Sequence, residues 1–254
     1  MIHPTAIIGK NVEIAEDVSI GPYSIIEDQV KIASGTQIGP HCHFLGWTTV
    51  GENCKFHKGC VIGDAPQDYG YKGEESYVEI GNNTECREYV TINRGHREGH
   101  KTIVGDNCLL MIQSHVGHDC IIGNNVTLVN QVNCGGHVEI DDFTIIGGVT
   151  AIHQFVKVGS RAMIGASSYL SMDVLPYSLI GHRSKCSGIN VIGLKRSGFD
   201  KKQIRDLKKV FKLLLFSSIT RDQAIAQIQN DYPDRDEIKL ILDFIKRSTR
   251  GILK

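Results

Sequence analysis

The stretch Ser114-His115-Val116-Gly117-His118-Asp119-Cys120 sets two imidazoles and a carboxylate within one short segment. An imidazole with its ordinary pKa near 6.5 accepts a hydroxyl proton at neutral pH. Such assistance is typically worth about 10²–10⁴ in rate, and a neighbouring carboxylate fixes the tautomer. His137 follows His118 by 19 residues and His153-Gln154 lies further along. The chemistry on offer is general-base activation of a hydroxyl or amine. Eight cysteines raise a second possibility, disulfides or zinc, but no Cys-x-x-Cys pair occurs.

What positions these groups is a six-residue clock. From Ile8, steps of six meet Ile14, Ile20, Ile26, Ile32, Ile38, Phe44, Val50, Phe56 and Ile62; the phase returns at Ile80, Cys86 and Ile92 and runs from Val104 to Leu170. A second register four residues later holds small or β-branched residues such as Val12, Val18, Ser24, Thr36, Cys54, Cys108, Cys120 and Thr150, and glycine repeatedly follows the large anchor. Six residues match neither strand alternation nor helix periodicity. A repeated hexapeptide predicts a β-helix in which three units make one coil of about 18 residues, rising about 4.8 Å. Nine or so coils give a prism roughly 40–45 Å long, with both registers facing inward.

Two segments break the clock, Asp64 to Tyr77 and Arg94 to Thr102, with Asp68, Glu74 and Glu98 in the slots where an apolar anchor is due. Both read as loops leaving a corner of a rigid scaffold, where function is commonly carried. The repeat stops after Leu170. From Asp200 helical spacing takes over at Ile204, Leu207, Val210, Phe211, Leu214 and Leu215, and again at Ile238, Ile241, Leu242 and Ile245 after Tyr232-Pro233. The expected architecture is all-β with an α tail: a parallel β-helix over 1–190 and a small helical domain over 191–254.

The clock also says where the reactive side chains point. Cys42, Cys54, Cys60, Cys108 and Cys120 fall in the small inward register and Cys86 and Cys134 in the large one, so seven of the eight cysteines are core packers. His115, His118, His137 and His153 fall in neither register and face outward. A lone outward histidine is ordinary surface, but His118 is followed by Asp119 and lies about one coil before His137. Adjacent strand residues point to opposite faces, so Asp119 reaches His118 only at a corner, which is where the repeat places the pair.

Bulk composition narrows the class. Lys plus Arg equals Asp plus Glu at 28 each, so no global charge favours nucleic acid. The N-terminus shows no basic segment followed by an apolar stretch, and no run approaches the roughly 18 apolar residues of a membrane span. The expectation is a cytoplasmic protein.

Beyond these readings, the chain resembles the UDP-N-acetylglucosamine 3-O-acyltransferases that begin lipid A synthesis. The likeness runs from His3-Pro4-Thr5-Ala6-Ile7 through Pro66-Gln67-Asp68, Arg87-Glu88, Val90-Thr91-Ile92-Asn93-Arg94-Gly95 and Ser114 to Cys120. It continues in Gly136-His137-Val138, His153-Gln154-Phe155, Gly193-Leu194-Lys195-Arg196 and Arg247-Ser248-Thr249-Arg250-Gly251. The resemblance implies a left-handed β-helix and a homotrimer whose sites are shared between neighbouring prisms. It implies transfer of a 3-hydroxyacyl group from acyl carrier protein to the 3-hydroxyl of the UDP-sugar, with no cofactor. His118 would be the base, Asp119 its orienting partner and the Gly136 N–H the oxyanion donor. His115, His137, His153 and Gln154 would line the site, and Gln67, Asp68, Asn93, Asn190 and Arg196 would meet the nucleotide sugar. Ala166 would limit acyl length, and Lys201, Lys202, Lys208, Lys209 and Lys212 would offer a basic face to the acidic carrier.

The chain departs from that family's pattern at three places. Gly70 stands where many members carry lysine, with Lys72 nearby as a stand-in; Ile192 replaces an acidic residue and Ser197 an arginine. Competing readings are transfer to a 3-amino UDP-sugar, a β-helix metalloenzyme with histidine ligands, and a non-catalytic prism.

Overall fold

The computed structural model describes residues 1–181 and 184–254. Among these are 27 strands, numbered in chain order from β1 (Ile7–Ile8) to β27 (Cys186–Ile189), most of them two residues long. They form three sheets: every third strand from β1 to β25 (Tyr169–Leu170), every third from β2 (Glu13–Ile14) to β23 (Lys157–Val158), and every third from β3 (Ser19–Ile20) to β24 (Met163–Ile164), which β26 (Ser178–Ile180) and then β27 extend. Chain order cycles through the first, second and third faces in turn. The fold is the left-handed parallel β-helix that the resemblance implies.

Ile7 pairs with Ile25, Ile25 with His43 and His43 with Val61, eighteen residues apart each time. Val61 then pairs with Thr91, thirty residues on, and Thr91 with His115, twenty-four on. The two interruptions therefore add twelve and six residues, both multiples of the repeat, which is why the clock never loses phase. They are slightly shorter than the sequence suggests. Asp64 closes β10 (Val61–Asp64), Tyr77 opens β11 (Tyr77–Ile80), and Lys101 and Thr102 belong to β14 (Lys101–Val104), leaving loops over 65–76 and 94–100.

Both inward registers are buried, from Val18 and Ile20 through Ile164 and Leu170. The small register also makes hydrogen bonds. Ser24 Oγ donates to Gly39 O (2.8 Å) and Thr36 Oγ1 to Gly51 O (3.0 Å), while the thiols of Cys42, Cys108 and Cys120 reach the carbonyls of His57, Gly123 and Gly135 at 3.0–3.1 Å. Where the register holds Ser, Thr or Cys the side chain satisfies a corner carbonyl of the next coil without leaving the core, and where it holds valine, as at Val18 and Val126, it fills the same space by packing alone. The glycines after the anchors have a different cause, close approach of coils: a Cβ on Gly147 would lie 2.5 Å from the Ala166 nitrogen.

The β-structure continues past Leu170. Val174, Leu175, Tyr177 and Ile180 are buried although none stands a six-residue step on from Leu170, and β26 still pairs in parallel with β24 before β27 turns back antiparallel. Four helices follow: α1 (Val191–Arg196), α2 (Lys201–Phe216), α3 (Arg221–Asp231) and α4 (Asp236–Arg247). Only Ala224 and Ile228 of α3 are buried, so its sequence shows too narrow an apolar stripe to be read as a helix. The tail is tied back by the buried Asp173 carboxylate, which accepts from Ser248 Oγ (2.6 Å) and from the Thr249 and Arg250 N–H groups (3.1 and 3.2 Å). Among the described residues no helix is long and apolar enough to cross a membrane.

Candidate active site

Both loops leave the prism at the edge between its first and second faces, and the His118-Asp119 turn lies on that same edge between β16 (His115–Val116) and β17 (Ile121–Ile122). One coil on, Gly136 and His137 occupy the equivalent turn, and one further coil brings Gln154 and Phe155. His118 therefore stacks on Gly136 and Asp119 on His137, which explains the 19-residue spacing of the two histidines. His137 N–H donates to His118 O at 2.9 Å, and Phe155 N–H to Gly136 O at 3.0 Å.

His118 Nδ1 lies 2.7 Å from Asp119 Oδ2, so the carboxylate fixes Nδ1 as the protonated nitrogen and leaves Nε2 as the base. Asp119 takes a left-handed backbone (φ 58°), which swings its side chain back toward its neighbour. Its side chain is only 7% exposed yet fully partnered: Oδ1 lies 2.7 Å from His100 Nδ1, and Oδ2 also accepts the His96 N–H (2.9 Å). Its own N–H donates to the buried Thr102 hydroxyl (2.8 Å). Burial pushes the Asp119 carboxyl up, but the hydrogen bonds from His118, His100 and the His96 backbone outweigh it and bring the pKa to about 2.

The His118 ring meets the His137 ring edge-on at a centroid distance of 5.1 Å and the His96 ring, tilted, at 5.3 Å; His137 stacks on Phe155 at 4.6 Å. Burial lowers the pKa of His115 and, against the pull of Asp119, that of His137, so both stay neutral at neutral pH. His115 Nδ1 is 2.8 Å from Thr91 Oγ1.

A groove of about 430 Å³ opens here on the first face, lined by Gln67, Asp68, Asn93, His115, His118, Gly136, His153 and Gln154 among others. In several equivalent turns elsewhere in the helix a side chain of the following coil caps the first N–H, as Asp142 Oδ1 caps Asn124 at 2.7 Å. At Gly136 the following coil offers Gln154, and the N–H donates to no acceptor among the described residues. A free N–H beside a free imidazole nitrogen is what an acyl-transfer site needs.

Asn93 lines the groove but is 5% exposed, and its amide supports the first loop through Ala65 O (2.9 Å). Lys72 is exposed and outside the groove. Three other expected residues stand on different edges. Asn190 caps α1 through Gly193 N–H (3.0 Å) and reaches Arg161 O (3.0 Å) at the edge between second and third faces; Arg196 is exposed at the end of that helix. Ala166 is exposed on the edge between third and first faces. The sequence reading missed His96, His100 and Thr102; the breaks at Asp68, Glu74 and Glu98 mark the loops but say nothing of where a loop histidine lands.

His118, Asp119 and His137 present nitrogen and oxygen atoms within 4.8 Å of one another, a spacing that could surround a cation. The hydrogen bonds already described commit the His118 Nδ1 proton and both Asp119 oxygens, so as arranged the cluster handles protons. A larger groove of about 670 Å³ lies between the second face and α4, walled by Ile121, Leu240 and Phe244 and by the Arg247–Glu139 ion pair (3.1 Å), and shares no residue with the His118 group.

Known proteins resemble this chain in sequence and fold. Residues 173–253 match the family described as Udp N-acetylglucosamine O-acyltransferase, domain 2, and residues 29–64 and 101–136 match the bacterial transferase hexapeptide family. The chain is 38% identical, over 99% of its own length and 96% of the relative's, to the acyl-[acyl-carrier-protein]–UDP-N-acetylglucosamine O-acyltransferase of Campylobacter concisus. Its fold is similar to the UDP-N-acetylglucosamine acyltransferase of Francisella novicida (TM-score 0.96, 36% identity, 100% of this chain and 94% of that one). It is also similar to LpxA of Acinetobacter baumannii (TM-score 0.95, 40% identity, 100% and 99%).

Proposed function

Because this chain belongs to the UDP-N-acetylglucosamine O-acyltransferase family, we propose that the groove beside His118 is where an acyl group passes from a carrier thioester to the sugar. The protein is an acyl-carrier-protein–UDP-N-acetylglucosamine O-acyltransferase and performs the first step of lipid A biosynthesis. The observation that carries the mechanism is the 2.7 Å bond from His118 Nδ1 to Asp119 beside the uncapped N–H of Gly136.

His118 Nε2 takes the proton of the 3-hydroxyl as that oxygen attacks the thioester carbonyl of the 3-hydroxyacyl donor. The resulting oxyanion accepts the Gly136 N–H, a stabilisation of about 3 kcal/mol for one donor. Asp119 holds the imidazolium that forms. When the tetrahedral intermediate collapses, the C–S bond breaks and the imidazolium returns its proton to the carrier thiolate, leaving ester and free thiol. Gln67, Asp68, Asn93, His115, His153 and Gln154 orient the sugar nucleotide.

Asn190, Arg196 and Ala166 reach such a site only if a neighbouring copy brings its other edges, so the enzyme works as a homotrimer. The edge between third and first faces supports this, exposing Tyr23, Tyr89, Ile112 and Val149. Residues 1–190 form the acyltransferase domain and 191–254 the helical one. On α2, Ile204, Leu207, Val210, Phe211 and Leu215 are buried while Lys201, Lys202, Lys208, Lys209 and Lys212 stay exposed, a basic face for the acidic carrier. Eight buried, unpaired cysteines fit the reducing cytoplasm.

The test incubates the protein with UDP-N-acetylglucosamine and a series of 3-hydroxyacyl carrier thioesters, wild type beside His118→Ala, and reads the nucleotide product by mass spectrometry. One acylated product, lost in the variant, is expected. No product from folded trimer with any donor, but turnover of the 3-amino sugar nucleotide, would replace the acceptor; failure with both would overturn the assignment. Light scattering checks the trimer.

A further inference from the structure

The carboxylate of Asp119 has two oxygens and three side-chain or loop partners. Oδ2 serves His118 and the His96 N–H, and Oδ1 is held at 2.7 Å by Nδ1 of His100, a residue of the second loop with a half-exposed ring. We propose that His100 is a positioning residue for the catalytic pair: its Nδ1–H locks the rotation of the Asp119 carboxylate so that Oδ2 stays in line with His118. The inference rests on the function proposed above and adds a residue to its machinery.

The geometry favours this over a purely structural loop contact. Asp119 is nearly enclosed, so without His100 the Oδ1 atom has no other side-chain donor among the described residues, and only the hydrogen bonds on Oδ2 are left to restrain rotation about the Cβ–Cγ bond. The loop is anchored independently of His100 by Gly99 N–H to Glu75 O (2.9 Å) and Glu75 N–H to Glu98 Oε2 (3.0 Å), so its path does not depend on the imidazole. His100 is bonded to Asp119 and lies within electrostatic reach of His137 on the prism edge; His96 and Glu98 share its loop, Glu98 is bonded to the Glu75 N–H of the first loop, and the neighbouring Lys101 is turned to Glu79 at 2.5 Å. Loss of the imidazole donor therefore loosens the aim of Oδ2 at His118, whereas loss of the ring's bulk alone would not.

His100→Ala and His100→Asn separate these effects, because the asparagine amide can place an N–H where Nδ1–H stands but cannot carry charge. We expect His100→Ala to lower kcat about tenfold or more with KM for the sugar nucleotide unchanged. The His118 Nδ1–H signal, followed by NMR on the unliganded trimer at one fixed pH, should broaden as its hydrogen bond to Asp119 loosens. His100→Asn should recover most of kcat and restore the signal. An alanine variant with wild-type kcat and an unchanged signal would overturn the proposal, as would an asparagine variant as impaired as alanine, or a loss confined to KM. Because the NMR signal needs no turnover, failure of the proposed reaction itself would appear separately, as wild-type protein without product.

Discussion

A Cβ placed on Gly136 would lie 2.5 Å from Cε1 and 3.0 Å from Cδ2 of His118, and closer still to Nε2: the imidazole occupies the volume of the side chain that Gly136 lacks. Gly136 is not in the left-handed backbone region, so alanine suits its conformation and the only cost is this overlap. Gly136→Ala should therefore displace the His118 ring, cutting kcat by about 10²–10⁴ while stability falls by only about 1–3 kcal/mol. Steady-state kinetics beside thermal unfolding would decide; wild-type kcat in a folded alanine variant would refute the stacking of these two residues.

Asp119 makes stability depend on acid pH. Its carboxyl titrates at about 2 in the folded protein, below its ordinary value of 3.8, so the unfolded chain takes up this proton first as pH falls. The stabilisation is complete above about pH 4 and is lost as pH drops through about 2. His115 and His137, also held below their ordinary value, act in the same direction from about pH 6.5 downward. Urea unfolding should show wild type exceeding Asp119→Asn by about 1–2 kcal/mol at pH 7, with the gap closing between pH 4 and pH 2. A gap that survives at pH 2 would mean the contribution is not ionic.

The tail should detach as a unit. Asp173 is fully buried and accepts four hydrogen bonds, from Lys157 N–H (2.8 Å), Ser248 Oγ and the Thr249 and Arg250 N–H groups. Asp173→Ala leaves those donors unsatisfied at a cost of about 3–5 kcal/mol. Limited proteolysis should then release fragments from the last fifty or so residues while the β-helix stays protected. Cleavage spread evenly through the repeats would contradict this.

The thiols should be silent in the native state. All eight cysteines are buried, burial raises Cys108 to about 11 and Cys134 to about 12, and Cys86 and Cys120 are pushed well above the ordinary thiol range. A disulfide dye should titrate eight thiols in denaturant and essentially none before it. Rapid reaction of even one native thiol would show that its coil opens.

The six-residue ladder from Ile8 to Leu170, the outward direction of His118 and the loops at the breaks could all be read along the chain, because each inward slot must hold an apolar or small residue whatever its neighbours do. The same rule placed seven of the eight cysteines in the core and put His118 and Asp119 on a corner. It could not supply the partners of Asp119. His96 and His100 sit in a loop with no period, and their meeting with a carboxylate 19 to 23 residues away depends on a six-residue insertion folding back over the edge from which it leaves. Nor could it show Asp173 binding Ser248, or Asn190, Arg196 and Ala166 standing on other edges than His118. Periodic burial is a local demand written at every sixth residue, whereas a contact between loops, tail and edges is decided only once the coils have stacked.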